Sequence, residues 1–385
     1  MTYQKNNNVL SNIIEVIFKD GLGGLSEAAS TLLNEAMRID RSRHLNVEPY
    51  ERSQERQDYA NGFKNKLLKT RVGELSLKIP QVRSCDFYPT FLEKGLRSER
   101  ALTTAIAEMY VNGVSTRKVQ NIIEQMCGFD VTSSDVSRAS KLLDEDLNKW
   151  RERPLGLYKY LFLDARYEKV RYENSVRDCA VLIAIGVNEQ GKREILGTSI
   201  KLSEQESHWR EFLQSLQARG LHGIELITSD AHSGLKAAKQ AVFPSVAWQR
   251  CQFHLQQNAQ SYVPKKPLKE EVAFDIRSIF NASSQTEAER LLKITAQKYE
   301  KEASKLSSWM LDNLPEGFTF FNFPASHWMK IRTSNVLERL NKEVKRRTRV
   351  VSIFPNAASC ERLVSAILVE KSEEWQASDA YLNFS

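Results

Sequence analysis

Residues 157–202 read LYKYLFLDARYEKVRYENSVRDCAVLIAIGVNEQGKREILGTSIKL. Leu157–Asp164, Asp178–Val187 and Glu194–Leu202 are apolar or alternating runs, the last two separated by the turn-rich NEQGKR. This pattern predicts three consecutive strands in a meander. The texture then alternates: His208–Leu221 has helical periodicity, Ile224–Asp230 (IELITSD) is a buried-strand run, Ser233–Val242 is again helical, and Ser245–Phe253 is a further strand run. A meander followed by alternating helices and strands predicts an α/β fold built on a mixed sheet.

On either side of this core the reading is mainly helical. Ser11–Leu45 carries helical periodicity, and Leu67–Arg83 (LLKTRVGELSLKIPQVR) alternates like a hairpin around Gly73. Helices are expected over Ala101–Asn112, Thr116–Met126 and Ser134–Trp150, with a break at Cys127-Gly128 and Ser133 or Ser134 as N-cap. The last two suggest a helix-turn-helix, although an ordinary α-hairpin fits the same joint. Lys265–Leu314 has no strand signal and reads as a helical insertion, while Arg332–Arg349 and Ser359–Trp375 close the chain as helices.

With 385 residues, 41% apolar and 27% charged, the chain is expected to be globular with two to three domains. The longest apolar-plus-glycine run, Ala180–Val187, is far too short for a bilayer span, and MTYQKNNNVL is not a signal sequence. A soluble, cytoplasmic protein with no membrane partner is expected. Five scattered cysteines, Cys85, Cys127, Cys179, Cys251 and Cys360, fit free thiols in a reducing compartment.

Charge is concentrated in one place. From Lys330 to Val350 eight Lys/Arg stand against two Glu, so +6 of the chain's formal +7 lies in one segment. That is the footprint of a polyanion partner. On a helical wheel Val336, Leu337, Leu340 and Val344 form the apolar stripe, and Glu338 points away from it with Ser334, Asn335, Asn341, Lys342, Lys345 and Arg349. Read alone, this is a solvated helix with a Glu338–Lys342 pair.

Two further carboxylates change that reading. Asp164 and Asp230 each end a strand run, and in an open α/β sheet ligands gather beyond the carboxyl ends of adjacent parallel strands. Asp164, Asp230 and Glu338 therefore form a candidate all-oxygen site for Mg²⁺ or Mn²⁺, the chemistry of two-metal phosphodiester displacement. Arg339, Lys342, Lys345, Arg346 and Arg347, with Arg171 and Arg332, are candidates for holding a nucleic-acid backbone. Cys251-x-x-His254 lacks a second ligand pair for zinc, so Cys251 is expected in the core and His254 beside the carboxylates, with Asn335 a further auxiliary candidate. Trp209, Trp248 and Trp328 are expected to pack rather than to stack on bases.

Several stretches carry a family resemblance: Tyr59-Ala-Asn-Gly62, Met109-Tyr-Val-Asn-Gly-Val-Ser-Thr-Arg117, Leu163-Asp-Ala-Arg-Tyr-Glu-Lys-Val-Arg171, Ser229-Asp-Ala-His-Ser-Gly-Leu235, Trp248-Gln-Arg-Cys-Gln-Phe-His254 and RTSNVLERLNKEVKRRTRVVSIFPN at 332–356. Over nearly its whole length the chain resembles the Mutator-type transposases of bacterial insertion sequences, a DDE group with a ribonuclease-H-like core. It departs from the usual pattern at Leu255-Gln-Gln-Asn258 and in the Ala-Arg after Asp164. The resemblance implies that Asp164, Asp230 and Glu338 are the catalytic triad, that Mg²⁺ or Mn²⁺ is the cofactor, and that the reaction is cleavage at terminal inverted repeats with strand transfer into target DNA.

It also implies the organisation: an N-terminal DNA-binding or dimerisation unit over 1–95, a helical DNA-binding domain over 96–155, a ribonuclease-H-like core over 156–258 and 330–385, and a helical insertion over 259–329. Recognition of the ends is expected from the first two, with Ser134 and Arg138 at the start of the second helix of the pair as base-reading candidates. Joining two DNA ends requires two active sites, so a homodimer on DNA, associated with the nucleoid, is expected. A silent DNA-binding descendant and a nuclease on the same core are the alternatives; the 66-residue and 108-residue gaps between the acids favour the transposase.

Overall fold

Apolar alternation and helical periodicity decide the elements, and the computed structural model describes them over residues 4–51, 53–84, 87–95 and 97–384. Cys85 lies outside the described residues; Cys127, Cys179, Cys251 and Cys360 are free thiols. The chain divides into two compact units, Met1–Leu142 and Leu143–Ser385.

In the first unit, α1 (Gln4–Asp20) and α2 (Leu25–Leu45) precede a hairpin of β1 (Ala60–Thr70) and β2 (Gly73–Val82). Leu75, Leu77 and Ile79, every second residue of β2, are buried with Met37 of α2, which is the period-2 pattern made physical. Next come α3 (Arg100–Val111), α4 (Thr116–Cys127) and α5 (Ser133–Lys141), packed through Leu102, Ile106, Val119, Ile123, Val136 and Ala139. Gly128 ends α4 in the left-handed conformation, φ 71°. The N-cap of α5 is Thr132 rather than Ser133 or Ser134: its hydroxyl accepts from Asp135 N and the Asp135 carboxylate accepts in return, a complete capping box.

The helix expected over Ser134–Trp150 is broken at Leu142-Leu143, and α6 (Asp144–Glu152) belongs to the second unit. Asp144 of α6 accepts two hydrogen bonds from Arg362, and Arg151 donates to Ser365 Oγ. The expected boundary at 155 therefore falls at 142.

The second unit holds a five-stranded sheet in the order β5-β4-β3-β6-β7: β3 (Tyr158–Tyr172), β4 (Ser175–Asn188), β5 (Arg193–Lys201), β6 (Leu226–Ser229) and β7 (Ala247–Arg250). β3, β4 and β5 form the antiparallel meander, while β6 and β7 run parallel to β3. The fold is thus the mixed α/β arrangement expected. α7 (Glu206–Ala218) and α8 (Ser233–Val242) cover one core, in which Leu161, Leu163, Leu182, Trp209, Leu213, Ile227 and Leu235 are fully or almost fully buried.

α9 (Gln252–Ala259) leads into α10 (Leu268–Phe280), α11 (Gln285–Tyr299) and α12 (Ser304–Asn313), which have an apolar core of their own around Val272, Ile276, Leu292, Leu306 and Met310. After the short α13 (Trp328–Ile331), α14 (Asn335–Thr348) returns to the sheet and α15 (Ala357–Ala377) closes the unit. Among the described residues no helix is long and apolar enough to cross a membrane.

Candidate active site

Strand register sets the first two acids level. Leu161 pairs with Ile227 and Phe162 with Thr228 in parallel ladder, so the residues two beyond, Asp164 and Asp230, stand side by side where the shared ladder ends. β3 itself does not end at Asp164, as its apolar run suggested. It continues to Tyr172, paired with β4 on one edge and bridged near its end to Phe354 on the other, where Arg171 N donates to the Phe354 carbonyl at 2.9 Å and Phe354 N to the Lys169 carbonyl at 2.8 Å.

The third acid arrives on α14, whose approach is fixed at both ends. Thr228 Oγ1 donates to the Ile331 carbonyl at 2.7 Å, Gln252 N donates to the Arg332 carbonyl at 3.1 Å, and Ser334 donates through N and Oγ to Cys251 Sγ at 3.3 and 3.1 Å. These bonds pin the segment before α14 to the ends of β6 and β7. Farther along, Asn341 Nδ2 donates to Asp164 Oδ2 at 2.8 Å and Arg166 donates to the Asn341 carbonyl at 2.6 Å. Arg166 also pairs with Glu168 at 2.5 Å, and Glu168 accepts from Thr348 Oγ1 at 2.8 Å. Glu338, in the first turn of α14, is thereby held beside β3 and β6.

His254 is the positive centre of the group. It lies on α9, one turn past the end of β7, rather than on the strand. Its imidazole is pushed up to about 9, first by pairing with Cys251 and then by Asp164 and Asp230, against the opposing effect of burial. Burial pushes the Asp164 carboxyl up to about 7, with Asp230 adding repulsion and His254 opposing. Glu338 is also raised by burial, against His254 and Lys342, and its buried Oε1 has no hydrogen-bond partner. Burial alone would raise the Cys251 thiol, but His254 and Ser334 together hold it below its usual range. Cys251 is fully buried, in keeping with its expected core position.

A donor set of carboxylates, one with an orphaned buried oxygen and one strained toward protonation, suits a hard divalent cation. Among the described residues no three ligand-type side chains already stand at ion-coordinating spacing. All three acids instead interact electrostatically with His254.

Two neighbours escape sequence reading. Glu204, in the connection after β5, is raised by burial and by Asp230, while Tyr167 and His232 oppose. Its Oε2 lies 4.0 Å from His232 Nδ1. This approach depends on Gly234 in the first turn of α8, since a Cβ there would sit 2.2 Å from the Glu204 carbonyl oxygen. Asn341 is the other; its position on the Glu338 face was visible, but its bond to Asp164 was not.

The remaining predicted residues divide by exposure. Arg171, Arg339, Lys342, Lys345 and Arg346 are exposed, with Arg346 paired to Glu343 at 2.7 Å. Arg347 is not available to a DNA backbone: it is 5% exposed, and it donates to Glu343 at 2.8 Å and twice to Glu370. Arg332 is half-buried and spends its guanidinium on Phe280 O and Asn281 Oδ1, which anchors the helical insertion. Asn335 is exposed at the start of α14, away from the acids' hydrogen bonds. Ser134 and Arg138 lie on the exposed first turns of α5, Arg138 with Asp135 at 3.3 Å. Trp209 is fully buried, Trp248 donates to Ser229 Oγ and Trp328 to Phe323 O, so all three are packing residues.

The sequence model described as "Transposase, Mutator family" matches residues 2–378. The chain belongs to the Mutator family of transposases. It is 53% identical to the transposase for insertion sequence element IS406 of Burkholderia multivorans, with all of both chains covered. The transposase for ISRM5 of Rhizobium meliloti is 42% identical over 94% of this chain and 90% of its own, and that for IS256 in transposon Tn4001 of Staphylococcus aureus is 38% identical over 97% and 96%.

Proposed function

We propose that this transposase cuts DNA at the terminal inverted repeats of its insertion sequence and transfers the freed strand into target DNA, using Asp164, Asp230 and Glu338 on a ribonuclease-H-like core. The observation that carries this reading is the level placement of Asp164 and Asp230 by strand register, with the orphaned Oε1 of Glu338 brought to the same His254.

The three carboxylates would hold Mg²⁺ or Mn²⁺, which when bound activates the attacking oxygen and stabilises the leaving one. Around that centre the chain supplies position and charge. His254, protonated through neutral pH, would attract the scissile phosphate and can give a proton to the departing oxygen. Lys342 and Lys345, exposed on α14, would hold the backbone on the side from which Glu338 projects. Asn341 and Arg166 would keep Asp164 in place as charge builds. Two ends demand two such centres, so the working form on DNA is a homodimer.

The test is incubation of the protein with duplex carrying the terminal repeat and Mg²⁺ or Mn²⁺, followed by mapping of nicks. Nicks at the repeat boundary with free 3′-hydroxyls, joined to target DNA over time, are expected. Nicking at random positions without joining would favour a plain nuclease, and binding without nicking a silent DNA-binding protein.

A further inference from the structure

The family-resembling tetrapeptide Tyr59-Ala-Asn-Gly62 opens β1, far from the acids in sequence, and the reaction chemistry leaves it unexplained. The structure explains its form. Pairing steps from Ala60↔Val82 to Phe63↔Pro80, three residues against two, so one residue of β1 is extra. Gly62 takes φ +76°, a conformation that suits glycine, and the result is a β-bulge.

Beside this bulge two large rings remain in water, Tyr59 at 56% exposure and Phe63 at 43%. Each is flanked by two guanidiniums. Arg38 and Arg41 stand 5.6 and 4.8 Å from the centre of Phe63, and Arg56 and Arg83 stand 5.1 and 5.9 Å from the centre of Tyr59. Arg41 donates to the Gly62 carbonyl at 3.3 Å and Arg56 to the Glu51 carbonyl, bonds that orient those cations without neutralising them, while Arg38 forms an exposed pair with Glu35 at 3.4 Å and still repels Arg41. Like charges gathered in pairs on exposed rings repel one another, and a polyanion relieves that repulsion. Guanidinium forks match phosphate oxygens, and ring faces hold them in a fixed plane. A two-stranded ribbon is also of a size to follow a duplex groove.

We propose that the bulged end of the β1–β2 ribbon, with Arg38, Arg41, Arg56 and Arg83 braced on Tyr59 and Phe63, is a docking surface for the backbone of duplex DNA. It rests on the reading of the chain as a DNA transposase and adds a phosphate-binding face separate from α5 and from α14. Contacts of this kind set position on the duplex and are indifferent to base sequence.

Equilibrium binding of the full chain to a labelled duplex carrying the terminal repeat, measured against salt concentration, tests the surface. Arg38→Gln/Arg83→Gln, both at exposed positions, should lower the slope of log K against log salt by roughly 1.8, about 0.9 for each phosphate that is no longer neutralised. Tyr59→Leu/Phe63→Leu keeps the charges and removes the platforms, and should weaken binding several-fold. Arg38→Lys/Arg83→Lys should retain most of the slope, and it decides the matter if the Gln variant melts early. Wild-type slope and affinity in both the Gln and Leu variants would overturn the proposal. So would loss of self-association in place of DNA affinity, which would make the face a protein interface. Failure of the wild-type protein to nick the same duplex in Mg²⁺ would count against the transposase chemistry alone, since the binding measurement does not depend on cleavage.

Discussion

Asn341 gives its Nδ2 proton to Asp164 Oδ2 at 2.8 Å, so the helix that carries one acid of the site holds the strand that carries another. An ionised aspartate at 341 has the same size but cannot donate. Asn341→Ala and Asn341→Asp should each reduce Mg²⁺-dependent nicking by about 10–100-fold, the usual cost of removing a group that orients a metal ligand. Folding, followed by near-ultraviolet circular dichroism, should be preserved. Full activity in the aspartate variant would show that the bond does not matter.

Replacement of Asp164, Asp230 or Glu338 by its amide removes charge without changing volume. Each single variant should abolish nicking and strand transfer yet bind end DNA at least as well as the wild type, because a repulsive carboxylate near phosphate is gone. A gel assay that resolves binding from cleavage checks both halves. Retained cleavage in any one of the three would remove that residue from the triad.

Arg347 and its neighbours on α14 should behave oppositely. Lys342→Ala/Lys345→Ala should flatten the salt dependence of DNA binding by roughly two units of slope while leaving stability nearly unchanged. Arg347→Ala should leave the slope alone and cost about 2 kcal/mol in urea unfolding, because Glu343 and Glu370 lose their shared partner. An altered slope in the Arg347 variant would return that residue to the DNA surface.

Acid should weaken this same cluster. Bonds from Arg346, and then from Arg347, hold the Glu343 carboxyl down to about 2 despite some burial, whereas in the unfolded chain it titrates near ~4.3. A depressed folded value means stability that is complete above that unfolded pKa and is lost as pH falls from there toward 2. After allowance for solvent screening the loss is about 1 kcal/mol. Glu343→Gln should show a correspondingly shallower decline in urea stability between pH 5 and pH 3 than the wild type, and parallel declines would refute the assignment.

The sheet was legible because its strands alternate or run apolar and its turns are marked; the meander and the parallel additions follow from that pattern. The placement of Asp164 beside Asp230 was legible too, since two acids that each close a strand run need only parallel register to meet. The end of β3 was hidden because Arg166–Tyr172 is rich in charge and, apart from its ladder with β4, is held only by a bridge to the distant Phe354. Nothing at Leu142-Leu143 marks a break, as neither glycine nor proline stands there, and the division arises from which unit each helix packs into. Counting cations made Arg347 look like its neighbours; only its turn toward Glu370 separates it from them. Glu204 carries no local signal and Asn341 shows only its helix face, because the contact of each is made with a segment distant in sequence.

The last clasp on the acids is made by elements translated very late, which orders events on the ribosome. Residues up to Leu142 close their own apolar cores, whereas the acid group waits for α14 and for α15, whose Arg362 ties back to Asp144. At elongation rates of about 5–20 residues per second, roughly 10–50 s separate synthesis of residue 142 from that of residue 377. A nascent chain can therefore present its arginine-studded ribbon well before it can assemble a cutting centre. On the readings proposed above, a product cut short ahead of Glu338 would keep the ribbon's hold on DNA backbone and lack the third carboxylate, a competitor made by the same message as the full chain.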